Sequence, residues 1–305
     1  MNKKLEQIIN NNRKYVQEGL VASYIPELAK ANKDHLAVHI FDVNCNENYF
    51  GDVDVKFTIQ SVSKVITLIC ALLDKGEDKV FEKVGTEPSS DAFNSIARLE
   101  TRESHIPLNP FINAGAIVTT ALINGDNGYE KFERVRNLIR KMADNDTIDV
   151  NYNVYNSEKL TGNTNRALAY YLKGAGIICD GVEDILDAYF KLCSLEVTAR
   201  DIAKIASVLA NKGVAPWSNE RIIGEEHTRI VLAIMTTCGL YDSSGNFAVK
   251  VGMPSKSGVG GCIMSVAPKK MGVCVFGPAL DQSGNSMAGK MVLEDVSKEL
   301  DLSIF

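Results

Sequence analysis

Lys56-Phe57-Thr58-Ile59-Gln60-Ser61-Val62-Ser63-Lys64 is the stretch on which the fold of this 305-residue chain turns. Its first five residues have the texture of a strand, and the apolar residues 62–73 read as a helix. Ser61 and Lys64 stand three apart at the helix start, so one turn places hydroxyl and amine on the same side. Serine is a poor nucleophile until a base takes its proton, and a desolvated lysine can be that base. This is the only Ser-x-x-Lys pair in the chain. A capping serine followed by a solvated lysine would spell the same letters, so a second signal is needed. It comes from Lys256-Ser257-Gly258, far along the chain and just before the apolar run 260–267.

In that order the two elements resemble two of the three motifs of the active-site-serine acyl-transfer enzymes, the β-lactamases and penicillin-binding proteins. The third, a Ser-Asp-Asn-like element in a helical lobe, is missing. Ser244-Gly245-Asn246 lies too close to Lys256 and Ser283-Gly284-Asn285 falls after it; both read as turns. No carboxylate can be assigned as the deacylation base of those enzymes. The fold fits, and the antibiotic chemistry does not.

Periodicity places the rest. Residues 5–18 read as an opening helix, and residues 36–43 and 49–50 flank a turn-rich hairpin centre, Asn44-Cys45-Asn46-Glu47-Asn48. Helices are expected over 113–123, 129–142, 163–172, 182–192, 198–211 and 224–237. Val182, Ile185, Leu186, Tyr189 and Leu192 give the clearest apolar stripe, and Thr198-Ala199-Arg200-Asp201 resembles a capping arrangement. Strand texture returns at 247–251, 260–267 and 272–276, before a closing helix over 286–300. Strands from both ends can make one antiparallel sheet under the terminal helices. The expectation is an α+β chain: residues 1–60 and 240–305 as a discontinuous sheet lobe, 61–239 as a mainly helical lobe, and a cleft at the seam.

Composition narrows the function classes. A net charge of −5 and no basic run longer than two residues argue against nucleic acid as a partner. The N-terminal Met1-Asn2-Lys3-Lys4-Leu5-Glu6 is followed by no apolar stretch of the kind a signal peptide needs, and no apolar run reaches the length of a membrane span. Seven cysteines, an odd number without close pairing, suit thiols buried in a reducing cytoplasm. The four histidines, His35, His39, His105 and His227, support neither a Ser-His-Asp triad nor a metal site. No cysteine sits in a recognisable nucleophile motif.

Six further blocks carry a closer resemblance. They are Ser23-Tyr24-Ile25-Pro26-Glu27-Leu28-Ala29, Pro107-Leu108-Asn109-Pro110-Phe111-Ile112-Asn113-Ala114-Gly115-Ala116-Ile117, Tyr155-Asn156-Ser157-Glu158, Asn165-Arg166-Ala167, Cys238-Gly239-Leu240-Tyr241-Asp242 and Pro254-Ser255-Lys256-Ser257-Gly258-Val259-Gly260-Gly261. From about Tyr24 to Ser286 the chain resembles the serine-dependent glutaminases, a family on the β-lactamase-like fold that hydrolyses L-glutamine to glutamate and ammonia. The resemblance implies Ser61 as nucleophile, Lys64 as its partner, and Gln60 as a pocket-lining residue. It puts substrate contacts at Tyr24, Asn113, Glu158, Asn165, Tyr189 and Tyr241, and an oxyanion-hole amide at Val259. It implies no cofactor, and a homodimer or homotetramer.

Those residue types suit the chemistry. A carboxamide is a stable electrophile, so hydrolysis needs an activated nucleophile, a cradle for the oxyanion and a proton for departing ammonia. Lys64 can accept a proton only when partly neutral, which burial and a neighbouring Lys256 charge would favour. Tyr241 and Tyr24 are the candidates for passing a proton to nitrogen, Tyr241 preferred. Glu158 suits the substrate ammonium; Asn113, Asn165 and Tyr189 suit its carboxylate. Two other readings compete: a β-lactamase or peptidase of the same fold, which acylation by a penicillin would support, and an inactive amino-acid-binding protein that keeps the fold.

Overall fold

In the computed structural model, which describes residues 1–89, 94–101, 104–179 and 181–305, the strands are β1 (Ala37–Asp42), β2 (Glu47–Gly51), β3 (Phe57–Thr58), β4 (Glu196–Val197), β5 (Ser255–Gly258), β6 (Cys262–Ala267) and β7 (Met271–Phe276). Five of them make an antiparallel sheet in the order β2-β1-β7-β6-β5, and β3 pairs with β4 apart from it. The hairpin is present, with Ala37 opposite Gly51 and Phe41 opposite Glu47. The two ends of the chain meet where Ala37 faces Phe276 and Asp42 faces Met271.

Alternation along the strands sends side chains to two cores. Val38, Ile40, Ile263, Val273 and Val275 pack beneath Leu5, Ile9, Val292, Leu293 and Val296 of the terminal helices Asn2–Asn12 and Met287–Leu300. Ala37, Phe41, Met264, Cys274 and Phe276 face the other way, into the larger core shared with the helices. The expected α+β arrangement, an antiparallel sheet flanked by terminal helices and joined to a helical block, is therefore what forms. The opening helix ends earlier than expected and passes into a 3-10 segment, Arg13–Glu18.

Helix Ala199–Ala210 lies across the second face of the sheet, and its start is the anticipated capping box of Thr198 and Asp201. Its backbone touches β7 at Gly272, where a Cβ would sit 2.3 Å from both Ala203 O and Ser207 N. Gly272→Ala is therefore expected to cost about 3 kcal/mol, because backbone on both sides must move. Chemical denaturation reads this directly; an unchanged midpoint would contradict the contact.

Helices Asn113–Leu122, Gly128–Ala143, Asn163–Gly174, Val182–Cys193 and Glu225–Cys238 match their expected positions to within two residues at each end. Helix Tyr152–Thr161 was not legible, because it buries only Val154, Tyr155 and Glu158 and so shows no apolar period. Residues 247–251, read as strand, instead continue the helix Ser244–Lys250, which also absorbs the expected turn Ser244-Gly245-Asn246. Phe247, Val249 and Val251 alternate in sequence, yet Val249 is 87% exposed, so the alternation does not mark a buried sheet face. Ser283-Gly284-Asn285 is a turn, as expected. Among the described residues no helix is long and apolar enough to cross a membrane.

Candidate active site

Ser61 sits in a single 3-10 turn, Gln60–Val62, between β3 and helix Ser63–Lys75. The approach is tied down by Ile59 N–H donating to Leu195 O at 2.8 Å. Gln60 then takes a left-handed conformation, φ +48°, uncommon for a residue with a side chain. Ser63 Oγ donates to Gln60 O at 2.7 Å and closes the turn. The result is a sharp corner with Ser61 at its tip and a helix starting behind it.

Lys64, one turn on, is 1% exposed. Its Nζ donates to Asn113 Oδ1 at 2.7 Å and to Phe111 O at 3.1 Å. Asn113 Nδ2 in turn donates to Asn165 Oδ1 at 2.9 Å, fixing which way the first amide points. Neither acceptor on Lys64 is charged. Burial brings its pKa down to about 8, with Glu158 and Cys193 pulling weakly the other way. Lys256, expected to lower it further through its charge, is itself 0% exposed, and burial together with the neighbouring Lys64 holds its pKa well below the usual lysine range.

Lys256 Nζ donates to Gly239 O and Ser257 O and lies 4.6 Å from the centre of the Tyr241 ring. Tyr241, itself left-handed at φ +55°, brings its hydroxyl to the Ser61 hydroxyl as a hydrogen-bond partner. Burial pushes the phenol pKa up, so it keeps its proton. On β5, Gly258 presses against the Ser61 corner: a Cβ there would lie 3.0 Å from Ile59 O and 3.4 Å from Ser61 N. The Val259 peptide follows at once. Among the described residues, neither Ser61 N–H nor Val259 N–H donates to a backbone carbonyl.

The corner opens onto a cleft with about 570 Å³ of non-atom space, its mouth included. Tyr24, Gln60, Ser61, Asn113, Glu158, Asn165 and Tyr189 line it. They come from six separate stretches of chain, and the fold collects them around one cleft. Glu158 is 7% exposed and one of its oxygens has no partner among the described residues. Burial raises its pKa to about 7, against a hydrogen bond from Gln60 and the field of Lys64. Tyr189 is buried with its hydroxyl bonded to Cys193, whereas Tyr24 stands at the mouth, 56% exposed. Tyr241, Lys64 and Val259 do not line this cleft; they stand behind or beside Ser61.

The sequence reading missed Cys193, Thr161 and Thr164, which share the cleft wall. Cys193 was legible in one respect, four residues after Tyr189 on the same helix face. Its thiol touches Tyr189 and Ser63, and burial pushes its pKa up to about 12. A thiol so held is a poor nucleophile.

Fold and cleft together define an α+β enzyme of the β-lactamase-like class. The family model for Glutaminase matches residues 19–305. Glutaminase 2 of Clostridium perfringens is 56% identical over 301 residues, covering 99% of each chain. A glutaminase of Clostridium botulinum is 55% identical over 305 residues, the full length of both. Among solved structures, a Bacillus subtilis glutaminase in covalent complex with 5-oxo-L-norleucine, formed by reaction with 6-diazo-5-oxo-L-norleucine, superposes with a TM-score of 0.92 at 35% identity. That match covers 100% of this chain and 99% of the other. The chain belongs to the glutaminase family. It is a hydrolase that converts the side-chain amide of L-glutamine to glutamate and ammonia.

Proposed function

We propose that hydrolysis runs through a glutamyl ester on Ser61. Ser61 Oγ attacks the side-chain amide carbon while its proton passes to neutral Lys64. The N–H groups of Ser61 and Val259 receive the oxyanion. As the C–N bond breaks, Tyr241 hands a proton to the leaving nitrogen and is resupplied from Lys64; Tyr24, at the mouth, is the weaker candidate. Ammonia leaves, and water added by the reverse sequence releases glutamate.

One observation carries this reading. Lys64 is buried one turn from Ser61 and, among the described residues, hydrogen-bonded only to neutral oxygens, with a pKa brought down to about 8. The covalent complex of the Bacillus subtilis relative supports it. Hydroxylamine present during turnover tests it, since the ester should partition to γ-glutamyl hydroxamate. Ammonia release with no hydroxamate would favour direct attack by water.

In the same proposal Glu158 holds the substrate ammonium, Asn113, Asn165 and Tyr189 its carboxylate, and Gln60 the pocket wall. Glu158→Gln is expected to raise KM for glutamine about 10- to 100-fold with kcat little changed, as one charge-assisted hydrogen bond is lost. The anion is the binding form, and burial holds Glu158 near 7. KM should therefore fall as pH rises from about 6 to 8; a KM flat over that range would contradict the assignment.

We further propose a cytoplasmic protein, in keeping with seven free cysteines, five of them buried. Residues 1–60 with 240–305, and 61–239, are proposed as lobes on either side of the cleft. A homodimer or homotetramer is proposed from the family resemblance, with sedimentation as its test.

A further inference from the structure

Both acceptors on Lys64 lie on one short stretch of chain: Phe111 O in the turn at 110–112, and Asn113 Oδ1 at the first residue of helix Asn113–Leu122. Where that helix begins decides whether Phe111 O is free for a side chain. The first backbone bond it accepts is Ala116 N–H to Ile112 O at 2.9 Å, and among the described residues no backbone N–H donates to Phe111 O. One more residue of helix would hand that carbonyl to Gly115 N–H and take it from Lys64.

Asn109 sets that start. It is 2% exposed, and its Oδ1 accepts from Phe111 N–H at 2.9 Å and from Ile112 N–H at 3.1 Å. Ile112, in the cap position, makes no side-chain cap of its own. Asn109 Nδ2 donates to Glu87 O at 2.8 Å and ties the amide to a second segment. Three of the four hydrogen bonds open to a primary amide are therefore made. The helix also presses on the Asn109 peptide, since a Cβ at Gly115 would lie 1.9 Å from Asn109 O. The Phe111 ring is buried, 5.9 Å from Lys256 Nζ, so its carbonyl cannot swing away without displacing a core side chain.

We propose that Asn109 is a positioning residue that, by fixing the turn at 110–112, keeps Phe111 O and Asn113 Oδ1 together on the Lys64 amine and so holds that amine where it takes the Ser61 proton. This rests on the role proposed above for Lys64. Without the Asn109 amide two buried N–H groups lose their acceptor, and the helix is free to start earlier and claim the Phe111 carbonyl. A base displaced by a fraction of an ångström slows the chemical step. A carbonyl also favours the charged form of an amine, so its loss moves the Lys64 limb of the kcat profile to lower pH.

The test is the pH profile of kcat for Asn109→Ala and Asn109→Ser, with Lys64→Met alongside. Asn109→Ala is expected to lower kcat about 10- to 100-fold and to move the limb down by about half a pH unit or more. Asn109→Ser, whose shorter hydroxyl can accept one of the two bonds, is expected to fall between it and the wild type. Folded Asn109→Ala with wild-type kcat, a loss confined to KM, or a lower kcat with the limb not lowered overturns the proposal. Should Asn109→Ala fail to fold, Asn109→Ser decides: a lower kcat with a lowered limb supports it, and a wild-type profile overturns it. Substantial activity in Lys64→Met would instead remove the reading on which the proposal rests. An inactive Lys64→Met beside a wild-type profile in Asn109→Ala would remove this inference alone.

Discussion

Ser61→Ala is expected to lower kcat for glutamine hydrolysis by at least about 10⁴-fold while leaving the fold and glutamine binding in place. The substitution removes one oxygen from the tip of a corner that other bonds hold: Ile59 to Leu195, Ser63 to Gln60, and Gly258 against the turn. The groups proposed to hold the amino-acid end lie on other helices and do not depend on the hydroxyl. Calorimetry should thus record glutamine binding by a protein that releases no ammonia. Ammonia from the folded variant above the about 10⁴-fold reduced level would refute Ser61 as nucleophile.

The second large effect belongs to Lys64. A neutral amine accepts the Ser61 proton and an ammonium cannot. With the pKa held at about 8 by burial, the active fraction grows as pH rises through that value. kcat is therefore expected to climb with pH to a plateau above about 8, the limb following deprotonation of Lys64, while Glu158 acts on KM. Lys64→Met should lose about 10³-fold or more and with it this limb. Lys64→Arg should be no better, because a guanidinium stays charged at any accessible pH. Substantial activity in Lys64→Arg, or a wild-type profile flat from pH 6 to about 9, would show that Lys64 is not the base.

Much of this was legible in the chain because several local rules agreed. Short apolar runs in β1, β6 and β7, stripes in the long helices and the Thr198–Asp201 cap each named an element, and the elements assembled as expected. The stretch 247–251 failed because three alternating apolar residues fit a short helix as well as a strand. β5, Ser255-Lys256-Ser257-Gly258, is buried throughout yet carries no apolar side chain, so no apolar run marks it as a strand.

At the site, the spacing of Ser61 and Lys64 gave their shared face directly. The state of Lys64 did not follow from letters, since it depends on which groups meet it: Phe111 O and Asn113 Oδ1 rather than a carboxylate. Lys256 was expected to act through its charge; burial pushes its pKa well below the usual lysine range, and it rests against the Tyr241 ring. Cys193 could be read from the sequence only as a same-face neighbour of Tyr189; tertiary packing is what brings it to the cleft wall.

The central claim is that glutamine's acyl group passes through Ser61, and the direct measurement is to catch it there. Wild-type protein turning over isotopically labelled glutamine is quenched in acid, digested and mapped by mass spectrometry. The predicted result is a glutamyl ester on the peptide containing Ser61, absent from Ser61→Ala and discharged by hydroxylamine. A labelled thioester on the Cys193 peptide would contradict it. So would full turnover in the presence of hydroxylamine with neither labelled peptide nor hydroxamate.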